Sequence, residues 1–408
     1  MTNYIILFLC ILVIISYIFA ITSKYSKIPS VILLIGLGIG IQLIGKSTKF
    51  EIPNIRPILP VIGTLGLIMI IMEASLDLKL ERSKKGLIVK SISSAFILFA
   101  VFTAAFSYIM VGFFDYSLRD SLLNGIPLGI ISSSVAIPSA IHLHVYEKEF
   151  IVYESSFSDI FGIILFDFIL INQSSIGKGI LNFGTSIFFT LIIAILTSSI
   201  LAFLLHKVKY HVHYVIIMTS VVLVYMLAKL VHLPALLLVL VFGLVMSNNQ
   251  ILQHTVANKV FDFDEFRDDL GSFKKILTEL TFLVRSFFFI MFGYYTKIEG
   301  LFDWHSIIAA VFITAGIFLL RMIYLKYIIK LPLVPLLFFF PRGLITILLF
   351  ISVPLVSRIS VISEEVITIV ILLTIIILMI GNIFYKKEHI DDPNIGVSRN
   401  EPVFPVNI

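Results

Sequence analysis

Two carboxylates and three serine hydroxyls are crowded into residues 153–159, which read YESSFSD. The stretch lies near the start of an apolar segment, roughly residues 150–171, that is long enough to cross a bilayer. A carboxylate inside a membrane is costly and is tolerated where it faces a partner or a water-filled pathway. On a helix Ser155 and Asp159 share one face, while Glu154 and Ser158 share the neighbouring face. Such oxygens bind protons and hard cations, so this segment is a candidate binding site.

The composition indicates an all-α polytopic membrane protein. Hydrophobic residues make up 59% of the 408 residues and charged residues only 13%, against about 25% charged residues in soluble domains. The net charge of +5 does not indicate nucleic acid, because the Lys and Arg residues lie in short loops between apolar runs. The single cysteine, Cys10, excludes an internal disulfide and a cysteine metal cluster. We expect no resident metal and no cofactor.

A window of about 20 residues predicts about thirteen spans, which together form one integral domain over residues 1–385. The predicted spans are residues 3–22, 28–45, 57–76, 86–113, 121–142, 150–172, 180–205, 213–231, 233–248, 276–296, 304–330, 334–354 and 361–385. Residues 386–408 are predicted to be a short polar tail.

The loop charges predict the orientation of the chain. Loops after odd-numbered spans, together with the tail, carry roughly twice as many Lys and Arg residues as the other loops. Because basic residues accumulate on the cytoplasmic side, we expect the N-terminus outside and the tail in the cytoplasm. The expected location is the inner or plasma membrane of the cell.

Two predicted spans contain internal breaks. The fifth includes GIISSSVAIP at residues 129–138, with Ser132 and Ser133 at its centre, and the twelfth includes FPRG at residues 340–343. Discontinuous helices at matching positions of two halves mark the binding site of an inverted-repeat transporter. Ordinary proline kinks, which are common in membrane helices, are the alternative.

Further charges lie inside the spans. Glu154 and Arg321 both fall on the cytoplasmic side of the midplane, given a rise of about 1.5 Å per residue, and are a plausible buried ion pair. Glu73, at the cytoplasmic end of the third span, reaches a similar depth and is placed to face Asp159. Arg285 has two interpretations: it is a structural cation, or it neutralises an acid in the core.

These residues together resemble an NhaP/NHE-type sodium/proton antiporter of the monovalent cation:proton antiporter superfamily. The family's Glu-Ser-x-x-Asn-Asp motif is similar to ESSFSD at residues 154–159, which IILF follows at residues 163–166. A Phe-Glu-Gly-Gly-Leu-x-Leu-Asp segment resembles MEASLD at residues 72–77, and a Leu-Arg-Gly segment resembles PRG at residues 341–343. The motifs occur in the family's order, and the resemblance covers nearly the whole chain.

The resemblance implies an NhaA-like antiporter fold with two broken crossing helices, in which Asp159 binds the cation and the proton alternately. It implies further oxygen ligands from Glu73 and Ser155, a contribution from the Ser132–Ser134 crossing, and a structural pair of Glu154 with Arg321. Arg342 then lies in the second broken helix. The family's homodimer implies scaffold spans at residues 1–76 and 180–296 and a transport core at residues 86–172 and 304–385.

Two departures from the family's pattern bear on the ion and on the stoichiometry. Ser158 replaces the family's Asn, whereas electrogenic relatives carry a second Asp there, so a neutral residue favours one-for-one exchange. The usual Thr-Asp-Pro is replaced by three serines, Ser132–Ser134, which resemble the KefC-type potassium/proton branch. The sequence leaves three candidate functions: exchange of Na+ or Li+ for protons, exchange of K+ for protons, and a non-transporting membrane scaffold or sensor.

Overall fold

The computed structural model of the protein describes residues 2–26, 28–48, 59–78, 84–171, 185, 188–201, 213–231, 233–248 and 263–385. Within these ranges the regular structure is helical and no strand occurs. The helices are α1 Thr2–Ser26, α2 Ser30–Thr48, α3 Leu59–Asp77, α4 Lys85–Phe114, α5 Leu118–Gly129, α6 Ser133–Ser139, α7 Val145–Ile171, α8 Phe188–Leu201, α9 His213–Leu230, α10 Ala235–Ser247, α11 Phe263–Tyr295, α12 Ile298–Leu301, α13 Trp304–Ile323, α14 Leu344–Ser352 and α15 Glu364–Phe384.

The helices confirm the predicted class, because helical residues occur in each of the thirteen predicted spans. In the described ranges, five helical segments are long and apolar enough to cross a membrane, and shorter apolar helices accompany them. In lipid the backbone must satisfy its own hydrogen bonds, so apolar runs of this length become helices. The predicted tail at residues 386–408 lies outside the described residues.

The helices pack in two groups. In the first, α2 lies mainly against α11, α3 packs on α10 and α11, and α9 packs on α10. In the second, α4 packs on α5 and α7, α5 also packs on α7 and α14, and α13 packs on α15. The groups meet where α3 contacts α14 and where α10 contacts α7.

The fifth and twelfth spans are interrupted in the second group, and their interruptions cross. Helix α5 ends at Gly129, and an extended stretch leads through Ile130 to Ser132 before α6 begins. The backbone N–H of Ser132 donates a hydrogen bond of 2.9 Å to the carbonyl of Pro341 in the other interruption. A side chain at Gly343 would lie 2.7 Å from the Ser132 hydroxyl, so glycine permits this close approach.

Substitutions at two glycines in α2 can test the packing of the first group of helices. A methyl group at Gly38 would collide with the α11 backbone, at 2.8 Å from the Tyr294 nitrogen, whereas a methyl group at exposed Gly36 meets nothing within 4 Å. Small residues let membrane helices approach this closely. We expect Gly38→Ala to cost about 1–3 kcal/mol of stability, as overpacking does, and to lower the melting temperature in detergent. The matched control, Gly36→Ala, should melt like the wild type, and equal melting of both variants would contradict the α2–α11 contact.

Candidate ion-binding site

Asp159 on α7 lies at the crossing of the two interruptions. Its side chain is 5% exposed, and Oδ2 accepts a hydrogen bond of 3.3 Å from the backbone N–H of Ser133. Its other oxygen, Oδ1, is buried and has no hydrogen-bond partner among the described residues. A buried carboxylate normally has its oxygens satisfied. This arrangement therefore leaves one oxygen of Asp159 for a proton or a cation.

Two buried serines, Ser155 and Ser158, precede Asp159 on α7. Ser158 is buried, and its hydroxyl oxygen accepts a hydrogen bond of 2.9 Å from the backbone N–H of Ile131, in the interruption of the fifth span. Ser155 is fully buried on the same helix face as Asp159, and its hydroxyl donates 2.7 Å to the carbonyl of Ile151. That bond uses the Ser155 proton, so an oxygen lone pair remains. Each hydroxyl thus satisfies the backbone and keeps coordinating capacity.

The broken fifth span contributes three further serines. Ser132, Ser133 and Ser134 are all buried, and the hydroxyls of Ser132 and Ser134 lie 2.9 Å apart. Ser132 is also the residue that bonds to Pro341 across the crossing. Hydroxyl and backbone oxygens are therefore concentrated within one turn of the chain beside Asp159.

Glu154 and Arg321 form a buried ion pair on the neighbouring face of α7. The two guanidinium nitrogens Nη1 and Nη2 lie 2.8 and 2.7 Å from the two carboxylate oxygens, and both side chains are 1% exposed. Arg321 Nε donates 2.8 Å to the carbonyl of Leu336, and the Ser94 hydroxyl donates 2.5 Å to Glu154. Both charges are thus satisfied by several short bonds, so Glu154 is committed to its partner.

Arg342 connects the two interruptions. Its side chain is 2% exposed, and it donates 2.5 Å to the carbonyl of Leu128 and 3.0 Å to the carbonyl of Phe340. Leu128 lies in the last turn of α5, where helix carbonyls lack intrahelical partners. A cation at a helix C-terminus is favourable because these carbonyls carry partial negative charge. The backbone N–H of Arg342 donates 3.0 Å to the hydroxyl of Thr374.

Glu73 and Arg285 lie on two helices of the first group that pack on one another. Glu73 is near the end of α3, and Arg285 is on α11. Arg285 Nη1 lies 3.4 Å from the carbonyl oxygen of Ser134. Arg285 therefore connects α11 to the serine stretch whose Ser133 N–H donates to Asp159.

The comparisons with known proteins show the family of the chain. The family model described as "Sodium/hydrogen exchanger, transmembrane" matches residues 9–385. The chain belongs to the sodium/hydrogen exchanger family. This membership confirms the resemblance in the motifs, and it supports cation/proton antiport in a multi-pass membrane protein.

Solved structures of the sodium proton antiporter MjNhaP1 from Methanocaldococcus jannaschii are similar in fold. The structure at pH 8 has a TM-score of 0.67 and 17% identity, with 93% of this chain and 95% of that chain covered. An electron-microscopy structure has a TM-score of 0.65 and 18% identity, with 94% and 95% covered. At such identities the likeness shows the fold. The comparison with curated proteins found no match.

Several contacts of this exchanger were not predicted from its sequence. These are the hydrogen bond from Ser94 to Glu154, the bond that the Ser158 hydroxyl accepts from Ile131, and the contact of Arg285 with the Ser134 carbonyl. Thr278, Thr281 and Arg285 recur at i, i+3 and i+7 in an apolar helix, a spacing that indicates one polar face. The sequence therefore contained a signal for this polar face, whereas no comparable pattern marks Ser94 or Ser158.

The ion pair of this exchanger makes a prediction for stability. Glu154→Ala or Arg321→Ala leaves a buried charge unpaired, so each should cost roughly 3–5 kcal/mol. Lys84→Ala is the control, because its 2.8 Å pair with Glu149 is partly exposed and such pairs contribute about 0–1 kcal/mol. Melting temperatures in detergent, measured for both single variants and the double variant, give the coupling energy. Additive losses in this cycle would reject the pair as a stabilising unit.

Proposed function

We propose that this chain exchanges Na+ or Li+ for H+ one for one, by competition at Asp159. The observation that carries the proposal is the buried Asp159 carboxylate beside a broken helix, with one oxygen that has no partner in the described part of the chain. A charged carboxylate is unfavourable in such a setting, so it is stabilised by a proton or by a cation. The two ligands occupy the same oxygens and exclude one another. No ATP and no redox cofactor enters the cycle.

We propose oxygen atoms of six residues as the cation ligands. Asp159 and Glu73 provide carboxylates, and Ser155, Ser158, Ser132 and Ser133 provide hydroxyl or backbone oxygens. Hard cations prefer oxygen donors, and several donors together replace part of the hydration shell. Glu154 is not a ligand in this scheme, because Arg321 engages both of its oxygens. Arg342 instead holds the ends of the broken spans together while the ion at Asp159 changes.

The two packing groups support an assignment of moving parts. We assign residues 86–172 and 304–385 to the transport core and residues 1–76 and 180–296 to a scaffold that forms a homodimer. Helices within each group pack extensively on one another, and fewer helix pairs join the groups. Rocking of the core against the scaffold exposes Asp159 to one side and then to the other. The N-terminus lies outside and the tail in the cytoplasm of a cell membrane in this scheme.

Potassium/proton exchange is the second candidate, and the serine-rich crossing favours it. Ser132, Ser133 and Ser134 stand where a Thr-Asp-Pro is usual, so the crossing lacks one carboxylate. A site with fewer charges binds a small cation less strongly, which reduces the advantage of Na+ over K+. A non-transporting sensor is the third candidate, and it predicts no ion flux. The test is a pH jump in proteoliposomes with Na+, Li+ and K+ added in turn.

The carrier assignment predicts the effect of one substitution. Asp159→Asn replaces the acid by an amide that cannot alternate between proton and cation. We expect exchange in proteoliposomes to fall to the level of empty liposomes, while insertion and melting temperature stay near the wild type.

The matched control is Asp167→Asn, which makes the same change eight residues further along α7 and should retain exchange. Wild-type exchange by Asp159→Asn would show that another group carries the ion, provided that its reconstituted amount equals that of the wild type.

Electroneutrality is a separate prediction. Ser158 is neutral and Glu154 is engaged by Arg321, so Asp159 exchanges one proton for one cation and no net charge moves. With Na+ as the driven ion and the potential clamped by a K+ gradient and valinomycin, the initial rate should not change with the potential. A sustained current on solid-supported membranes would mean that a second acid, Glu73, also releases its proton.

A further inference from the structure

The stretch between α5 and α6, residues 130–132 and here called the connecting stretch, lies against α7. The backbone N–H of Ile131 donates a hydrogen bond of 2.9 Å to the Ser158 hydroxyl on α7. The backbone N–H of Ser133, which follows the stretch, donates 3.3 Å to Asp159 Oδ2. Two hydrogen bonds thus define how far this part of the chain lies from the carboxylate.

A glycine of α7 provides a third contact with the connecting stretch. Gly162 lies three positions after Asp159 and four after Ser158, so the three residues share one side of the helix. A methyl group at Gly162 would collide with Cγ1 and Cδ1 of Ile130 and would lie 3.6 Å from its Cβ. Gly162 is buried and Ile130 is fully buried, so the Ile130 side chain fills the space that a Cβ would occupy. The connecting stretch therefore lies closer to α7 than a residue with a side chain would permit.

The interruption of the twelfth span also holds the connecting stretch. The backbone N–H of Ser132 donates 2.9 Å to the carbonyl of Pro341, and a Cβ at Gly343 would lie 2.7 Å from the Ser132 hydroxyl. Glycines thus permit close approach both to α7 and to the second interruption. Because packed interiors contain few voids, the stretch has little space in which to shift. Packing therefore sets the distance between the serine oxygens and Asp159.

We propose that Gly162 and Ile130 are positioning residues that set the size of the cation site. The inference rests on the proposed function, in which Asp159 and the serines are the ligands, and neither Gly162 nor Ile130 touches the ion. Because Ile130 packs into the space at Gly162, the serine oxygens stay close to Asp159. Ligands that lie close together can surround small Li+ and Na+ but leave less room for the larger K+. A wider separation reduces this preference for small cations.

The first test widens the separation. Gly162→Ala places a methyl group against Ile130 and displaces the connecting stretch from α7. Exchange is measured in proteoliposomes at one fixed pH with Li+, Na+ and K+ in turn. We expect the KM for Na+ to rise roughly tenfold, equivalent to about 1.4 kcal/mol, the KM for Li+ to rise at least as much, and the KM for K+ to change by less than about threefold. An equal change for all three cations, or no change, would overturn the proposal.

A reciprocal variant tests the contact from the other side. Ile130→Ala removes the atoms that pack at Gly162, so the connecting stretch is held less closely, and the KM for Na+ should rise roughly threefold relative to that for K+. In the double variant, Ile130→Ala with Gly162→Ala, the new methyl group lies 3.6 Å from the remaining Cβ, an ordinary contact. The double variant should therefore regain the wild-type order of KM values. Two independent defects would instead add, and that result would reject the spacing role.

A glycine elsewhere in the second group is the matched control. A methyl group at Gly125 on α5 would lie 2.5 Å from Cδ1 of the Phe106 ring, away from the connecting stretch. Gly125→Ala should lower the melting temperature but keep the wild-type ratio of KM values. The same loss of preference in Gly125→Ala would show that any strain in the core changes selectivity. Should Gly162→Ala not fold, an unchanged ratio in Ile130→Ala overturns the proposal by itself.

A binding measurement distinguishes this proposal from the function on which it rests. A ligand that binds the folded state raises the melting temperature, so melting in detergent is followed against LiCl, NaCl and KCl, with choline chloride as the control. The salt concentration for half of the shift replaces the KM for any cation that is not transported. Wild-type protein with neither exchange nor a cation-dependent shift would refute the proposed function. An active wild type whose preference survives both single substitutions refutes the spacing role alone.

Discussion

The hydrogen bond from Ser132 to Pro341 joins two interrupted spans at the centre of the protein, and the candidate site is arranged around it. Interrupting a helix inside a membrane exposes backbone N–H and carbonyl groups that water cannot satisfy there. The protein meets this demand by crossing the two interruptions. Each interruption then supplies partners to the other, and Arg342 donates to carbonyls of both. Irregular backbone beside Asp159 is stable for that reason.

The buried charges near the crossing divide into committed and available groups. Glu154 and Arg321 satisfy one another and carry additional hydrogen bonds, and Arg342 is satisfied by carbonyls. Breaking such a pair is more costly than the pair's net contribution to stability, because it strands a charge. Among the described residues, Asp159 Oδ2 accepts a bond from Ser133 and Oδ1 has no partner. The committed charges would provide a constant electrostatic field for the proposed exchange of proton and cation at this carboxylate.

The seam between the two helix groups combines polar contacts with close packing. Arg285 reaches from α11 to the carbonyl of Ser134 in the second group. Within the first group, glycines such as Gly38 bring the backbones of α2 and α11 together. A tightly packed group with a loosely held polar edge suits relative movement, since packed interiors resist gradual deformation and move as units.

The sequence by itself determined the class of the protein, its spans, its two interruptions and the acids worth examining. Apolar runs of membrane length become helices whatever their neighbours, and Asp159 stands out because a carboxylate is costly in such a run. The sequence did not determine which oxygen of Asp159 lacks a partner among the described residues, that the Ser158 hydroxyl accepts a bond from Ile131, or that Arg285 reaches Ser134. Those facts depend on contacts between residues far apart in the chain, such as Ser134 with Arg285. Helical periodicity gives the face of a residue on its own helix, but only tertiary packing decides what that face meets.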